Sequence, residues 1–430
     1  MNKANLVLMA ALAAVGLAGI TAGSLLPVTA AVAADKADKE KAAKAPKLSA
    51  AVGKPLVATQ NAMNAKNWDE ALVQLQAAEA VPDKTPYDAY MVDELGWYIY
   101  LQKKDYVKSA ESLERALASG FTADADKPQR MRALTQLNLQ NKNYPKALQV
   151  GAEYMKLNPG DADIALALAQ ARYLTNDFQG AKAAAEQIIA STPKPPENAL
   201  LLALRSSYEV KDAAGTTRAL EGLVRHYPQP KYWEDLLNEQ LFRTKDDRAL
   251  RGLYRLMSDT NTLDKGDEYS EMGSMLIAGG FPNEAKLVLE RGMAANVFKA
   301  DQKARAQGDL DRARSLAATD AKDLPNAPAQ LAAAKTGNHI VGVGKLYFSA
   351  GDYDKAVDAI QKGIAKGGVT DADDANLLLG IANARLGKGT EARAAFDAVK
   401  APALAEIARL WKLKLDTVAQ AAPAAAATTG

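Results

Sequence analysis

The chain of 430 residues contains no cysteine and only two histidines, His226 and His339. Disulfides, thiolate nucleophiles and Cys/His metal clusters are therefore excluded, and a Ser/His/Asp triad would have to use one of two histidines that sit in no motif. Aromatic residues make up 6% of the chain. Runs of β-branched alternation are scarce, which argues against a sheet domain. No basic block is present: 53 Lys and Arg are interspersed with 51 Asp and Glu for a net charge of +2, so nucleic acid is not an expected partner. Against these absences stand 48% hydrophobic and 24% charged residues, the composition of a folded, alanine-rich helical protein.

What the chain does have is a period. Ala147 and Ala181 stand 34 residues apart, Pro159 and Pro193 also 34, Pro193 and Pro228 35, and Ala356 and Ala392 36. A recurrence of this length marks a solenoid, in which a unit cannot bury its apolar face alone and stacked neighbours complete the core. Gly273, Gly344 and Gly380 each precede an alanine by 12 residues (Ala285, Ala356 and Ala392), and four residues further on come Leu289, Ile360 and Phe396. Each unit thus reads as two amphipathic helices, with glycine and alanine where the backbones approach closely. The turns are written as Asn67-Trp68, Asn143-Tyr144, Asn176-Asp177-Phe178 and Gly351-Asp352-Tyr353. Glycine or asparagine is expected to end the first helix, with an aromatic packing into the hairpin.

In these residues the chain resembles the tetratricopeptide repeat family, whose pattern places an apolar residue and glycine in helix A, alanine in helix B and proline at the repeat's close. The resemblance covers most of residues 51–400 and implies an all-α, right-handed superhelical α-solenoid. Extending the alanine register gives about nine units, with the small helix-B position at Ala71, Ser109, Ala147, Ala181, Thr216, Ala249, Ala285, Ala356 and Ala392. Trp97, Thr135, Leu204 and Leu237 depart from the pattern where helix A would carry a small residue.

The ends read differently. Lys3, an apolar stretch over residues 6–20 and Ala31-Val32-Ala33 describe a cleavable secretory signal over residues 1–34, interrupted by Gly23, Ser24, Pro27 and Thr29 before it could span a bilayer. With no cysteine to carry a lipid or mispair in an oxidising compartment, a periplasmic or secreted location is expected. A charged flexible linker follows over 35–50, then an N-terminal array over 51–299. Residues 300–336 form a degenerate repeat: Gly308-Asp309-Leu310-Asp311-Arg312-Ala313 imitates the later hairpin turn, and Pro325 and Pro328 break the connection. Repeats and a capping helix occupy 337–416, and a disordered tail of Ala, Pro and Thr is expected over 417–430.

Local motifs that suggest chemistry dissolve on inspection. Gly342-Val343-Gly344-Lys345 has neither the upstream glycine nor the hydroxyl residue of a phosphate loop, since His339 and Leu346 stand there. Asp371-Ala372-Asp373-Asp374 lacks the glycine and the terminal acid of a calcium loop, with Asn376 and Ala382 in their places, and reads as an acidic helix start. His226 closes a helix, where its charge would meet the negative end of the dipole. No catalytic, cofactor-binding or metal-binding residue is assigned.

Surface recognition remains. The family's groove is lined by helix A, and the register places Tyr98, Arg132, Gln136, Gln170, Tyr173, Arg205 and Tyr208 at its inward positions. The expectation is a non-enzymatic scaffold or adaptor holding a protein or peptide partner in the cell envelope, as an accessory subunit of a transport, secretion or assembly system. The alternative is a glycan- or peptide-handling module that delivers substrate to an enzyme.

Overall fold

The computed structural model describes residues 46–426, with side chains to residue 417. The expected signal peptide, most of the linker and the last four residues lie outside the described residues. The chain divides at Thr216 and Thr217 into two units. In the first, helices pair as α1 (Ala50–Asn64) with α2 (Trp68–Glu79), α3 (Pro86–Gln102) with α4 (Tyr106–Ala118), α5 (Lys127–Gln140) with α6 (Tyr144–Leu157), and α7 (Ala162–Leu174) with α8 (Phe178–Ala190); α9 (Glu197–Glu209) follows. Helix α10 (Ala213–His226) carries the unit boundary. The second unit contains α11 (Pro230–Arg243), α12 (Asp247–Asp259), α13 (Gly266–Ala278), α14 (Pro282–Ala294) and the long α15 (Ala300–Asp323). A 3₁₀ turn (Leu324–Asn326) leads to α16 (Ala327–Ala333), α17 (Gly337–Ala350), α18 (Tyr353–Lys366), α19 (Ala372–Arg385), α20 (Gly389–Asp397) and α21 (Pro402–Ala426). No strand occurs among the described residues, and the fold is an all-α helical repeat array.

The hairpin turns share one device, except that between α11 and α12, which has no left-handed residue. A single residue adopts a left-handed conformation, and the next caps the second helix. Between α1 and α2 that residue is Lys66 (φ 56°), and the following Asn67 donates its backbone N–H to the Ala62 carbonyl at 2.9 Å while its side chain accepts from Glu70. Lys104, Lys142 and Lys211 repeat the pattern, whereas Asn176 and Gly351 occupy the same place elsewhere. Lysine thus fills a position expected to be asparagine or glycine, because the wrapped backbone hydrogen bonds offset a left-handed cost of about 1 kcal/mol. Asn67 and Asn143 open the second helix instead.

All nine small positions of the alanine register are buried, none more than 2% exposed, and eight of them are the fourth residue of their helix. The facing glycines show why. A Cβ on Gly273 would lie 2.8 Å from Leu289, on Gly344 2.6 Å from Ile360, and on Gly380 2.3 Å from Phe396. The pattern's departures are compensated locally. Thr135 replaces the small residue of helix A, and its hairpin partner carries Gly151, whose Cβ would come within 3.1 Å of the Thr135 methyl group. Trp97 is fully buried opposite Ser109, whose hydroxyl donates to the Trp97 carbonyl at 2.7 Å. We expect Gly344→Val to destabilise unit 2 by about 1–3 kcal/mol through overpacking against Ile360, read as a lower denaturation midpoint with unchanged slope.

Over residues 300–336, expected as a degenerate repeat with a Pro-broken connection, α15 and α16 are separated by the 3₁₀ turn containing Pro325, and the turn-like sequence at Gly308 forms no hairpin. Gly308 does not take a left-handed conformation, and α15 runs unbroken through it for 24 residues. Ala306, Leu310, Ala313 and Ala317 form one buried stripe, while Gly308 lies off that stripe in open space. An imitation of the turn sequence is not enough, because the aromatic that would pack into the hairpin is Leu310, already committed to the helix stripe. The array also continues past this segment: Asn283 of α14 donates to the Ser349 carbonyl of α17 at 3.0 Å, and Phe281 meets Phe348 edge-on at 5.8 Å.

Unit 2 closes on itself. Helix α12 packs against α19 and α21, far along the chain. The Trp411 indole donates to the Gly252 carbonyl at 3.1 Å, and a Cβ on Gly252 would press Ile407 and Leu377 at 3.0 Å. Ion pairs Arg248–Asp371 (2.7 Å), Arg225–Asp416 (2.6 Å) and Arg409–Glu221 (2.5 Å) border the seam. Helix α21 continues to Ala426, so the boundary expected at residue 416 falls inside it.

Candidate functional site

The first helices of the unit 1 hairpins carry the residues expected to line a groove, and the structure distributes them unequally. Gln136 and Gln170 are corrected outright: they are 5% and 2% exposed, so packing between hairpins takes them out of reach of a ligand. Both lie one residue after the close-packing position, where the next hairpin covers the side chain.

Arg132 holds neighbouring hairpins together. Its Nε donates to Asp161 at 2.7 Å, and the same carboxylate accepts from Tyr154 at 2.7 Å and caps α7 through the Ile164 N–H at 3.1 Å. Burial alone would raise the Asp161 pKa, but the Arg132 and Tyr154 hydrogen bonds hold it below the ordinary value. Tyr98 is half-buried and packs edge-on against Trp68 at 5.8 Å and Trp97 at 5.6 Å.

The remaining three come together where α7 meets α9. Tyr173 is half-buried, packs edge-on against Phe178 at 5.1 Å, and donates its hydroxyl to Glu209 at 3.3 Å. Burial, reinforced by Glu209, raises its pKa, and the nearby Arg205 charge opposes the shift. Arg205 is half-buried, and Tyr208, one turn further along α9, is 53% exposed. This patch offers a guanidinium, two phenols and a carboxylate on adjoining helices, suited to hydrogen bonding and aromatic contact with an extended segment. Glu209 was not among the expected residues; its place beside Tyr208 was the only sequence signal for it.

A second polar assembly, unforeseen in the sequence, occupies unit 2. Arg255 Nη2 donates to Glu284 at 2.7 Å, Arg385 reaches Glu284 at 3.3 Å and Asp259 at 3.1 Å, and Lys414 pairs with Asp259 at 3.2 Å. Arg255 lies over Phe281 (4.3 Å) and Phe348 (4.9 Å), and Arg385 donates to the Tyr353 hydroxyl at 2.9 Å. Burial would raise the pKa of Glu284 and of Asp259, but the facing cations prevail and hold both below their ordinary values. Burial pushes Lys414 down despite Asp259.

The other expected motifs are structural. Gly344 packs, as described, and Asp371 caps α19 by accepting from the Asp374 N–H at 3.1 Å. His339 is exposed in the first turn of α17. Among the described residues no group of three or more His, Asp or Glu is placed to hold a metal ion, and no helix is long and apolar enough to cross a membrane.

Two family models, each described as a tetratricopeptide repeat, match residues 138–205 and 344–405. No curated protein is significantly similar in sequence. Among solved structures, Naa15/Naa10 bound to HypK-THB is 17% identical over 86% of this chain, with a TM-score of 0.39; the chain spans 61% of that protein's length. A tetratricopeptide repeat protein from Parabacteroides merdae is 12% identical over 78% of this chain and 99% of its own, with a TM-score of 0.31. The Cut9–Hcn1 hetero-tetramer of the APC/C is 12% identical over 81% of this chain and 86% of its own, with a TM-score of 0.24.

Proposed function

We propose, from the premise that this chain is a tetratricopeptide repeat protein, that it serves as a non-catalytic scaffold whose first unit holds an extended segment of a protein partner. The observation that carries this reading is the patch of Tyr173, Arg205 and Tyr208, where a large aromatic stands exposed beside a guanidinium on the first helices of successive repeats. Tyrosine and arginine are among the residue types enriched at the hot spots of protein interfaces.

The same reading places the scaffold in the cell envelope, as an accessory part of a transport, secretion or assembly system. Its support is the signal-like N-terminal sequence and the absence of cysteine. A compartment reporter fused after Gly430 is expected to be active on the exported side, and activity confined to the cytoplasm would refute the location.

The partner is tested by placing a photo-crosslinking residue at position 208 in the native envelope. One protein is expected to crosslink reproducibly. With that protein purified, Arg205→Ala combined with Tyr208→Ala is expected to weaken binding by roughly 10- to 100-fold, the scale of two lost interface anchors. Unchanged affinity would remove the site assignment.

A further inference from the structure

Unit 2 contains a cleft of about 420 Å³ between Asp259, Glu284, Leu287, Arg291, Tyr353 and Arg385. Its size falls within the range of roughly 300–1,000 Å³ typical of ligand clefts. It is built by α12, α13 and α14 with the start of α18 and the end of α19, all in unit 2 and distinct from the candidate residues of unit 1.

The lining is chemically mixed. Of its apolar residues Met272 and Val288 are buried, and Leu287 is 56% exposed. Asp259, Glu284 and Arg385 of the polar network line the cleft as well, Glu284 one turn before Leu287 and Val288 on α14, while Arg255 and Lys414 pair with those carboxylates from outside the lining. Arg291 adds a further positive charge at the rim: it donates to the Ser258 hydroxyl at 2.6 Å and lies over the Tyr269 ring at 5.8 Å, and among the described residues no carboxylate is within ion-pair distance of it. The Arg291 guanidinium, without an ion pair among the described residues and one turn from the exposed Leu287, is complementary to a negative group next to an aliphatic one.

We infer that this cleft binds an acidic, leucine-bearing segment of a partner protein, its carboxylate received by Arg291 and the Tyr353–Arg385 edge and its aliphatic side chain lying on Leu287. A peptide is favoured over a small enclosed ligand because Leu287 and Arg291 both stand at an exposed rim, leaving room for a chain to continue on either side.

The test is calorimetric titration of the full chain with acetyl-Glu-Leu-Glu-Leu-amide and, as the uncharged match, acetyl-Gln-Leu-Gln-Leu-amide. The acidic peptide is expected to bind at least tenfold more tightly. Arg291→Gln and Leu287→Asp should each reduce that binding tenfold or more with the melting temperature preserved, since both side chains are exposed. Arg205→Ala with Tyr208→Ala should leave it unchanged, which separates this cleft from the unit 1 patch. Equal binding of the two peptides, or full binding by Arg291→Gln, would overturn the assignment. Equal affinity for free 4-methylpentanoate would overturn the peptide as occupant in favour of a small organic acid.

Discussion

Glu284→Ala is expected to destabilise unit 2 by about 3–5 kcal/mol, because it leaves two buried guanidiniums facing one another without their shared carboxylate. Both Glu284 oxygens accept from Arg255 Nε at 3.1 Å, and one also accepts from Arg385 at 3.3 Å, so deletion orphans donors on two helices together. The pH dependence has a definite sign. Glu284 and Asp259 have folded pKa values below their ordinary 4.5 and 3.8, so their contribution is fully present above those values and is lost as pH falls through the lowered ones. The stability of unit 2 in urea is therefore expected to decline below about pH 4.5, and Glu284→Gln should flatten that decline. Unit 1 holds an opposite case. Glu94 has only Arg130 as its cation, one of its oxygens lacks a hydrogen-bond partner, and burial raises its pKa although Arg130 opposes the shift. Its folded form binds the proton more tightly, so this site gains stability as pH falls through the raised value. A unit 2 whose stability was flat between pH 3 and pH 5 would contradict the network's assigned charges.

Trp411→Ala is expected to cost about 3–5 kcal/mol and to open the seam between α12 and α21 before the rest of unit 2 unfolds. The indole is fully buried, stacks on Phe396 at 6.2 Å, lies beneath the Lys414 ammonium at 5.0 Å and donates to Gly252. Deletion removes a large packed volume and leaves a main-chain carbonyl without its donor. Trp411→Phe would retain most of the volume and should lose about 1–3 kcal/mol, the cost of the unpaired carbonyl. The measurement is amide exchange resolved by peptide: protection should fall first over 247–259 and 402–414, with unit 1 unaffected. Uniform loss across unit 2 would show that closure and core are a single cooperative element.

The repeat was legible because its signals are local. Ala285, Ala356 and Ala392 and the glycines 12 residues before them are packing requirements within one hairpin, and the structure joins each glycine to the apolar residue four positions past the alanine. The capping box at Thr85 and Asp88 is equally local, with its two reciprocal hydrogen bonds at 3.1 and 3.0 Å. Arg385 illustrates what was not. Its partners Glu284 and Asp259 lie 101 and 126 residues away, and in sequence each is one charge among many on an amphipathic helix. Nothing periodic links them, because closure of unit 2 is set by helix packing accumulated over several hairpins. Gln136 and Gln170 show a subtler limit: a polar residue at an inward register is not thereby accessible, and both are buried. Gly308 failed because a turn motif requires a packing aromatic, and Leu310 belongs to another stripe.

The direct packing of α14 on α17 has a practical consequence for engineering. Since Phe281 meets Phe348 without the intervening segment, the apex at Pro325 and Asn326 is an exposed detour whose length the main stack does not set. Foreign sequence grafted there should be carried outward on the tip of α15, as insertions at exposed loop tips are generally tolerated. A fluorescent domain inserted between those two residues would report on the scaffold from within the chain, with both termini left unmodified.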